Sequence, residues 1–216
     1  MLIFILTDSL SLPRVEPQKV ALQDTYIMLL KNAFPQHEIV SLSIGGATLE
    51  MLESQFFTYY FPVNPDMVIV HAGIVDCAPR ALKTWEVKLF NSAEPFQFFY
   101  KHLIKKHTIW LRKKRNLTYT HLGKFGEIAY RYKNKLGQKI FWIGIAPASD
   151  DYELQLPGIK KNIQNYNNLL KSIFEDKFIS VDAMPADCLM SDYHHLNERG
   201  HRFIFENLKN KIKSGE

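Results

Sequence analysis

Three uninterrupted apolar runs, each followed by residues at helical spacing, limit this chain more than any other feature. Leu2–Thr7 reads LIFILT, Met67–His71 reads MVIVH and residues 139–146 read KIFWIGIA. A strand with one wet face alternates apolar and polar residues. A strand covered on both faces does not need to, so such runs mark a parallel sheet packed on both sides. Residues 38–42 and 178–181 are shorter runs of the same kind and bring the strands to five.

The segments between them predict helices. Val20, Leu22, Ile27, Leu30 and Phe34 recur at roughly helical spacing over residues 18–34. Thr48 is placed to cap a helix reaching about Tyr60, with Leu49, Leu52, Phe56 and Tyr59 inward. Residues 79–137 are too long for a bare connection. They hold one stripe of Phe96, Phe99, Leu103, Ile104, Trp110 and Leu111, and a second of Leu122, Phe125, Ile128, Tyr132 and Leu136 that stops at Gly137. Ile159, Ile163, Tyr166, Leu170 and Ile173 mark another helix, and residues 197–212 a last one. The expected fold class is α/β: three layers, α/β/α, with a five-stranded, mainly parallel sheet and a helical insertion between strands 3 and 4. No linker interrupts residues 1–216, so one domain is expected.

Several classes are excluded early. The 46% hydrophobic share supports a core. The apolar runs fall well short of the ~18–20 residues of a membrane span. Residues 1–6 lack a basic leader and a cleavage site, so they read as a strand and a cytoplasmic location is expected. Cys77 and Cys188 are too few for a disulfide framework and fit a reducing compartment, one bridge being the alternative. The eight histidines include no His-x₃-His with a helical Glu, and no phosphate- or dinucleotide-binding glycine loop appears. Neither a metal nor a cofactor is expected.

The formal charge of +5 is local. Residues 101–115, KHLIKKHTIWLRKKR, hold seven Lys or Arg and no acid, which leaves the remainder at −2. That pattern disfavours a general nucleic-acid binder. The plain reading is a solvated helix face. The sharper one is a face for an anionic glycan, or for an anionic membrane at the inner surface.

In parallel α/β sheets, sites lie beyond the carboxyl ends of the strands. Ser9 follows the first strand directly. A serine hydroxyl is a weak nucleophile unless a base takes its proton. His195 is the candidate base, and Asp192, three residues earlier, is placed to hold its imidazole. Backbone N–H groups at Ser9 and Gly46 are the candidate oxyanion donors. Alone, Ser9 reads better as a cap for the helix that follows. Asp8 is expected to bond nearby N–H groups, Asp76 to be structural, with an Arg as a candidate partner, and Cys77 to be a buried thiol.

These residues together resemble the SGNH (GDSL) hydrolases. Thr7-Asp8-Ser9-Leu10 is similar to the first block, with Thr for the usual Gly. Gly46-Ala47-Thr48 is similar to the second, which supplies the oxyanion glycine. Gly73-Ile74-Val75-Asp76 aligns with the third, and Asp192-Tyr193-His194-His195 with the Asp-x-x-His block, followed by Gly200 in its usual place. The family's oxyanion-donating Asn is Val75 here. Arg80 and Arg14 are the candidate replacements, each expected to stabilise the oxyanion or hold an anionic substrate. Residues 8–14 and 73–80 further resemble a subgroup associated with bacterial surface-polysaccharide synthesis.

The resemblance implies a serine esterase or deacetylase acting on an acylated, carbohydrate-type substrate through Ser9, His195 and Asp192. An O-acyltransferase with the same residues, or a non-catalytic glycan-binding protein that kept the fold, are the alternatives. Val75 favours the last, and the retained Ser, His and Asp oppose it.

Overall fold

The computed structural model describes residues 1–92 and 104–213. Five strands, β1 (Leu2–Thr7), β2 (Glu38–Ser43), β3 (Met67–His71), β4 (Ile140–Ile143) and β5 (Phe178–Ile179), pair in parallel in the order β2-β1-β3-β4-β5. The helices are α1 (Tyr26–Ala33), α2 (Leu49–Gln55), α3 (Ile74–Cys77), α4 (Thr84–Ser92), α5 (Thr108–Arg115), α6 (Leu122–Leu136), α7 (Asp150–Gln155), α8 (Ile159–Phe174) and α9 (Glu198–Lys213). Side-chain alternation along β1 and β3 divides the core. Phe4, Leu6, Val68 and Val70 pack with Leu49, Leu52, Phe125, Ile128, Tyr132 and Leu170 from α2, α6 and α8. Ile3, Ile5, Met67 and Ile69 pack with Tyr26, Ile27, Leu30, Ile204, Leu208 and Ile212 from α1 and α9. Helices therefore cover both faces, as the continuous apolar strands require. Each fully buried Leu or Ile contributes roughly 1.5–3 kcal/mol relative to exposure.

The sheet register determines where function can sit. Thr7 is level with Ser43 on one neighbour and with His71 on the other. β2, β1 and β3 thus end together, and Ser9, Gly45-Gly46 and Gly73 leave the sheet side by side.

Several expected boundaries move. The helix expected over residues 18–34 is confined to Tyr26–Ala33. Upstream, Val20 pairs backbone to backbone with Arg14 (N···O 2.9 Å both ways), so this stretch satisfies its polar groups as a clasp, and Leu22 is exposed. Tyr59 points to solvent because the end of α2 widens into a π turn at Phe56–Tyr60. The extra residue in that turn shifts the helical phase, leaving Phe56 buried and Phe57 and Tyr60 against the core. Trp110 is 60% exposed and α5 buries nothing completely; Ile104 and Leu111 are half-buried. Leu122, at the first position of α6, is exposed, while Phe125, Ile128, Tyr132 and Leu136 are buried as the spacing predicts. Phe96, Phe99 and Leu103 lie outside the described residues. The ladders of β4 and β5 are shorter than the apolar runs that encode them.

Candidate active site

Asp8 closes β1 and caps the short turn Ser9–Ser11, its Oδ1 accepting from Leu10 N–H at 2.9 Å. That turn presents the Ser9 hydroxyl beyond the sheet, where Ser9 Oγ lies 2.9 Å from His195 Nε2. On the other side of the ring, His195 Nδ1 is 2.7 Å from Asp192 Oδ2. A carboxylate oxygen only accepts, so Nδ1 carries the proton. In the neutral ring Nε2 is then the bare nitrogen, ready to accept from Ser9. Their positions and the resemblance of the surrounding blocks singled out these three residues, and the fold brings them into one hydrogen-bonded chain across 186 sequence positions.

The loop before α9 fixes this geometry. Asp192 Oδ1 accepts from the backbone N–H groups of His194 (3.2 Å) and His195 (3.0 Å). Tyr193 turns the chain with a left-handed φ of +66°. Met190 N–H donates to His195 O at 2.7 Å, and Asn197 N–H to Cys188 O at 3.1 Å. Gly200 has no room for a side chain, since a Cβ there would lie 2.2 Å from Cys188 O.

Electrostatics keep the base neutral. Burial, then the neighbouring His194 ring, pushes His195 down to about 4, against the opposing pull of Asp192. Burial works to raise Asp192, but hydrogen bonds from His195 prevail and hold it below the usual carboxylate range. His194 Nδ1 lies 2.9 Å from Asp192 O, an acceptor, so that nitrogen carries a proton. Asp192, His194 and His195 place one potential ligand atom each within 4.8 Å of one another, and His195 spends both ring nitrogens on Ser9 and Asp192.

Gly46 sits beside Ser9 with φ +70° and open space where a Cβ would project. A glycine in this conformation lets a carbonyl approach the loop closely. The loop is tied down from below: both carboxylate oxygens of buried Asp76 accept from Leu49 N–H, at 3.0 and 3.2 Å, and Asp76 Oδ1 also accepts from Thr120. Burial raises Asp76 to about 6. Among the described residues no cation forms a direct ion pair with Asp76; Arg80 acts on it through space, drawing its carboxyl down against the effect of burial. Cys77 is buried, its Sγ facing Ile74 O, and burial pushes the thiol up. Both cysteines are free.

Ser9, Gly46, Val75, Asp192 and His195 line one open cavity of about 650 Å³. Arg14 and Arg80 line it too, as their sequence positions suggested, but with different attachments. Arg14 Nη2 donates to His195 Nε2. Arg80 Nη2 donates to Val75 O at 3.3 Å, and its guanidinium lies 4.0 Å from the centre of the Tyr119 ring. Four more lining residues, Arg112, Tyr119, Tyr152 and Gln155, went unforeseen. Arg112 was visible only as one cation in a basic stretch, and the other three carry no motif.

No protein-family model matches the sequence, and no curated protein does. Solved structures match it by fold. The lipase/acylhydrolase from Enterococcus faecalis superposes with a TM-score of 0.68 at 13% identity, over 99% of this chain and 96% of that one. The acetyl xylan esterase AlAXEase gives 0.64 at 15% identity, over 98% and 100%. A carbohydrate acetylesterase family member from Sinorhizobium meliloti gives 0.64 at 12% identity, over 99% and 98%. At such identities the likeness is one of fold. The chain has the α/β fold of SGNH hydrolases, and its neighbours in shape are esterases and acylhydrolases. Among the described residues no helix is long and apolar enough to cross a membrane.

Proposed function

We propose that this protein is a serine esterase that removes an acyl group from a carbohydrate. The observation that carries the reading is the chain Ser9 Oγ–His195 Nε2 at 2.9 Å and His195 Nδ1–Asp192 Oδ2 at 2.7 Å, opening into a cavity. The named activities of the fold neighbours, acetyl xylan esterase and carbohydrate acetylesterase, support the substrate class.

Ser9 Oγ attacks the acyl carbonyl carbon while His195 Nε2 takes the hydroxyl proton. The carbonyl π electrons move to oxygen, where the Ser9 and Gly46 N–H groups face the developing charge. The tetrahedral species collapses, the alkoxy bond breaks, and His195 returns the proton to the leaving sugar hydroxyl. Water then attacks the acyl-Ser9 ester, again giving its proton to His195, and the acid departs with Ser9 restored.

Val75 has no side-chain donor to offer this oxyanion. Arg14 fills the role. Once His195 is protonated, its Nε2 has no lone pair and repels the guanidinium, and the nearest new negative charge is the oxyanion. Hydrolysis of 4-nitrophenyl acetate, with labelling by a serine-directed fluorophosphonate, tests the reading. Wild type is expected to turn over and to carry the label on Ser9, and Ser9→Ala to do neither. Equal rates for the two proteins would reject it.

A further inference from the structure

Three arginines meet at the Ser9 cavity. Arg14, Arg80 and Arg112 all line it, and among the described residues the one carboxylate lining it, Asp192, is held by His195 and His194. We propose that Arg80 and Arg112 form an anion subsite, so that the acylated carbohydrate taken by this cavity carries a carboxylate or phosphate. The proposal rests on the esterase reading above and names its substrate class.

The support for Arg80 is that its guanidinium is not spent on a direct ion pair. Among the described residues no carboxylate lies within ion-pair distance of it, and buried Asp76 feels its charge only through space. Its Nη2 meets only the Val75 carbonyl, and its Nε is buried without a hydrogen-bond partner. A guanidinium nitrogen buried without a partner is unfavourable, and an anion at the guanidinium edge offsets that cost. The chain nevertheless holds it in place at two points. Arg80 N–H donates to Leu117 O at 2.7 Å within an isolated antiparallel bridge, and the guanidinium lies over the Tyr119 ring, 4.0 Å from its centre. Stacking on a ring face keeps the planar edge free for two parallel hydrogen bonds to a carboxylate or phosphate.

Arg112 arrives from α5, the basic helix. Its Nη1 donates to Gln155 O at 3.1 Å, which fixes the guanidinium at the cavity wall. The helix is divided in use. Arg115 is consumed by Glu86, with two hydrogen bonds of 2.8 Å, and by Ala81 O at 2.9 Å, while Lys113 and Lys114 are exposed. Only Arg112 of the four faces the candidate active site.

The ligand has room to continue. A second cavity of about 580 Å³ shares Tyr119 and is lined by Lys83, Lys88 and Trp85, with no acidic residue among the described residues. Trp85 is 61% exposed and Tyr119 47% exposed. Two exposed aromatic rings among cations suit flat sugar rings carrying acids. The occupant is therefore an acidic oligosaccharide, with one acid group at Arg80 and Arg112 and the next residue over Tyr119 toward Trp85.

The test is calorimetric binding to the full chain bearing Ser9→Ala, which reads the subsite without turnover. The probes are tri-galacturonate, glucose 1-phosphate and neutral maltotriose. At least one anionic probe is expected to bind tenfold or more tightly than maltotriose, with the preference weakening as salt rises. Tri-galacturonate alone would assign a uronic acid, and glucose 1-phosphate alone a sugar phosphate. Arg80→Gln and Arg112→Gln, singly and together, are expected to abolish the preference while keeping the parental melting temperature within a few degrees. If a double variant melts early, the singles carry the comparison. Lys113→Gln with Lys114→Gln, outside the cavity, is the control for bulk charge. Equal affinity for charged and neutral probes, or an equal loss in the lysine control, overturns the proposal. An inert protein toward aryl acetate that still shows the preference would reject the esterase reading alone.

Discussion

Arg14 donates to His195 Nε2, the same nitrogen that accepts the Ser9 hydroxyl. One lone pair therefore serves two donors, one of them cationic. The clasp between Arg14 and Val20 holds this loop over the His195 ring, and Pro13 and Pro17 limit its backbone freedom. The contact adds to burial and to His194 in keeping the imidazole unprotonated.

The acid limb of activity should therefore lie unusually low. A base must be neutral to accept a proton, and His195 is pushed down to about 4 from the ordinary histidine value of about 6.5. kcat/KM for 4-nitrophenyl acetate is expected to stay near its plateau down to about pH 5 and to fall tenfold per unit below about pH 4, on protein shown to be folded there. Arg14→Gln removes one lowering charge and is expected to move the limb upward. A wild-type limb at pH 6.5 would contradict the assigned environment of His195.

Arg14 and Val75 should be coupled. If Arg14 supplies what the absent side-chain amide would, Arg14→Gln lowers kcat by roughly 10²–10³, the range seen when one oxyanion donor is removed. Val75→Asn places an amide at the cavity wall. Alone it is expected to change kcat less than tenfold, but in the Arg14→Gln protein it should recover at least tenfold. Additive effects in this double-mutant cycle would show that the two positions do not share a task.

The legibility of this site follows from what each part depends on. β1, β3 and β4 are buried on both faces, so their sequences carry no polar alternation and stand out. The candidate residues Ser9, Asp192 and His195 were readable because Ser9 follows a strand, Asp192 and His195 share one turn, and the blocks around them resemble those of SGNH hydrolases. Arg112 was not readable, because its place depends on how α5 folds back onto Gln155. The inward positions of Leu22 and Tyr59 failed for local reasons, a backbone clasp in one case and a π turn in the other. Periodicity in apolar residues registers neither.

Gly200 should be intolerant of any side chain. A Cβ there would meet Cys188 O at 2.2 Å, and the same carbonyl accepts from Asn197 N–H just after His195. Backbone must shift to relieve the overlap, and overpacking of this kind costs roughly 1–3 kcal/mol or more. Gly200→Ala is expected to lower Tm by several degrees, at ~2–4 °C per kcal/mol for a chain of this size, and to lower kcat/KM at temperatures where the protein remains folded. A variant with unchanged Tm and activity would show that the loop and α9 are less firmly packed than this contact implies.

Asp8 gives stability an opposing pH dependence. It is fully buried, its Oδ2 has no hydrogen-bond partner, and burial pushes its carboxyl up to about 7. Unfolded, it would titrate near 3.8. The folded state thus binds the extra proton between these values, and folding stability from this group is lost as pH rises through about 7. Asp8→Asn keeps an oxygen for Leu10 N–H and cannot ionise. Any cost of the amide nitrogen at the Oδ2 position is independent of pH, so the difference in Tm between variant and wild type isolates the titration. That difference is expected to move in favour of Asp8→Asn by several degrees between pH 5 and pH 8. His195, His71 and His201 titrate in the opposite sense, being held down to about 4, 3 and 4 by burial first, and they weaken the fold as pH falls below 6.5. They are present in both proteins and cancel in the comparison. A Tm difference that is flat across this range would mean that Asp8 remains ionised in the folded protein.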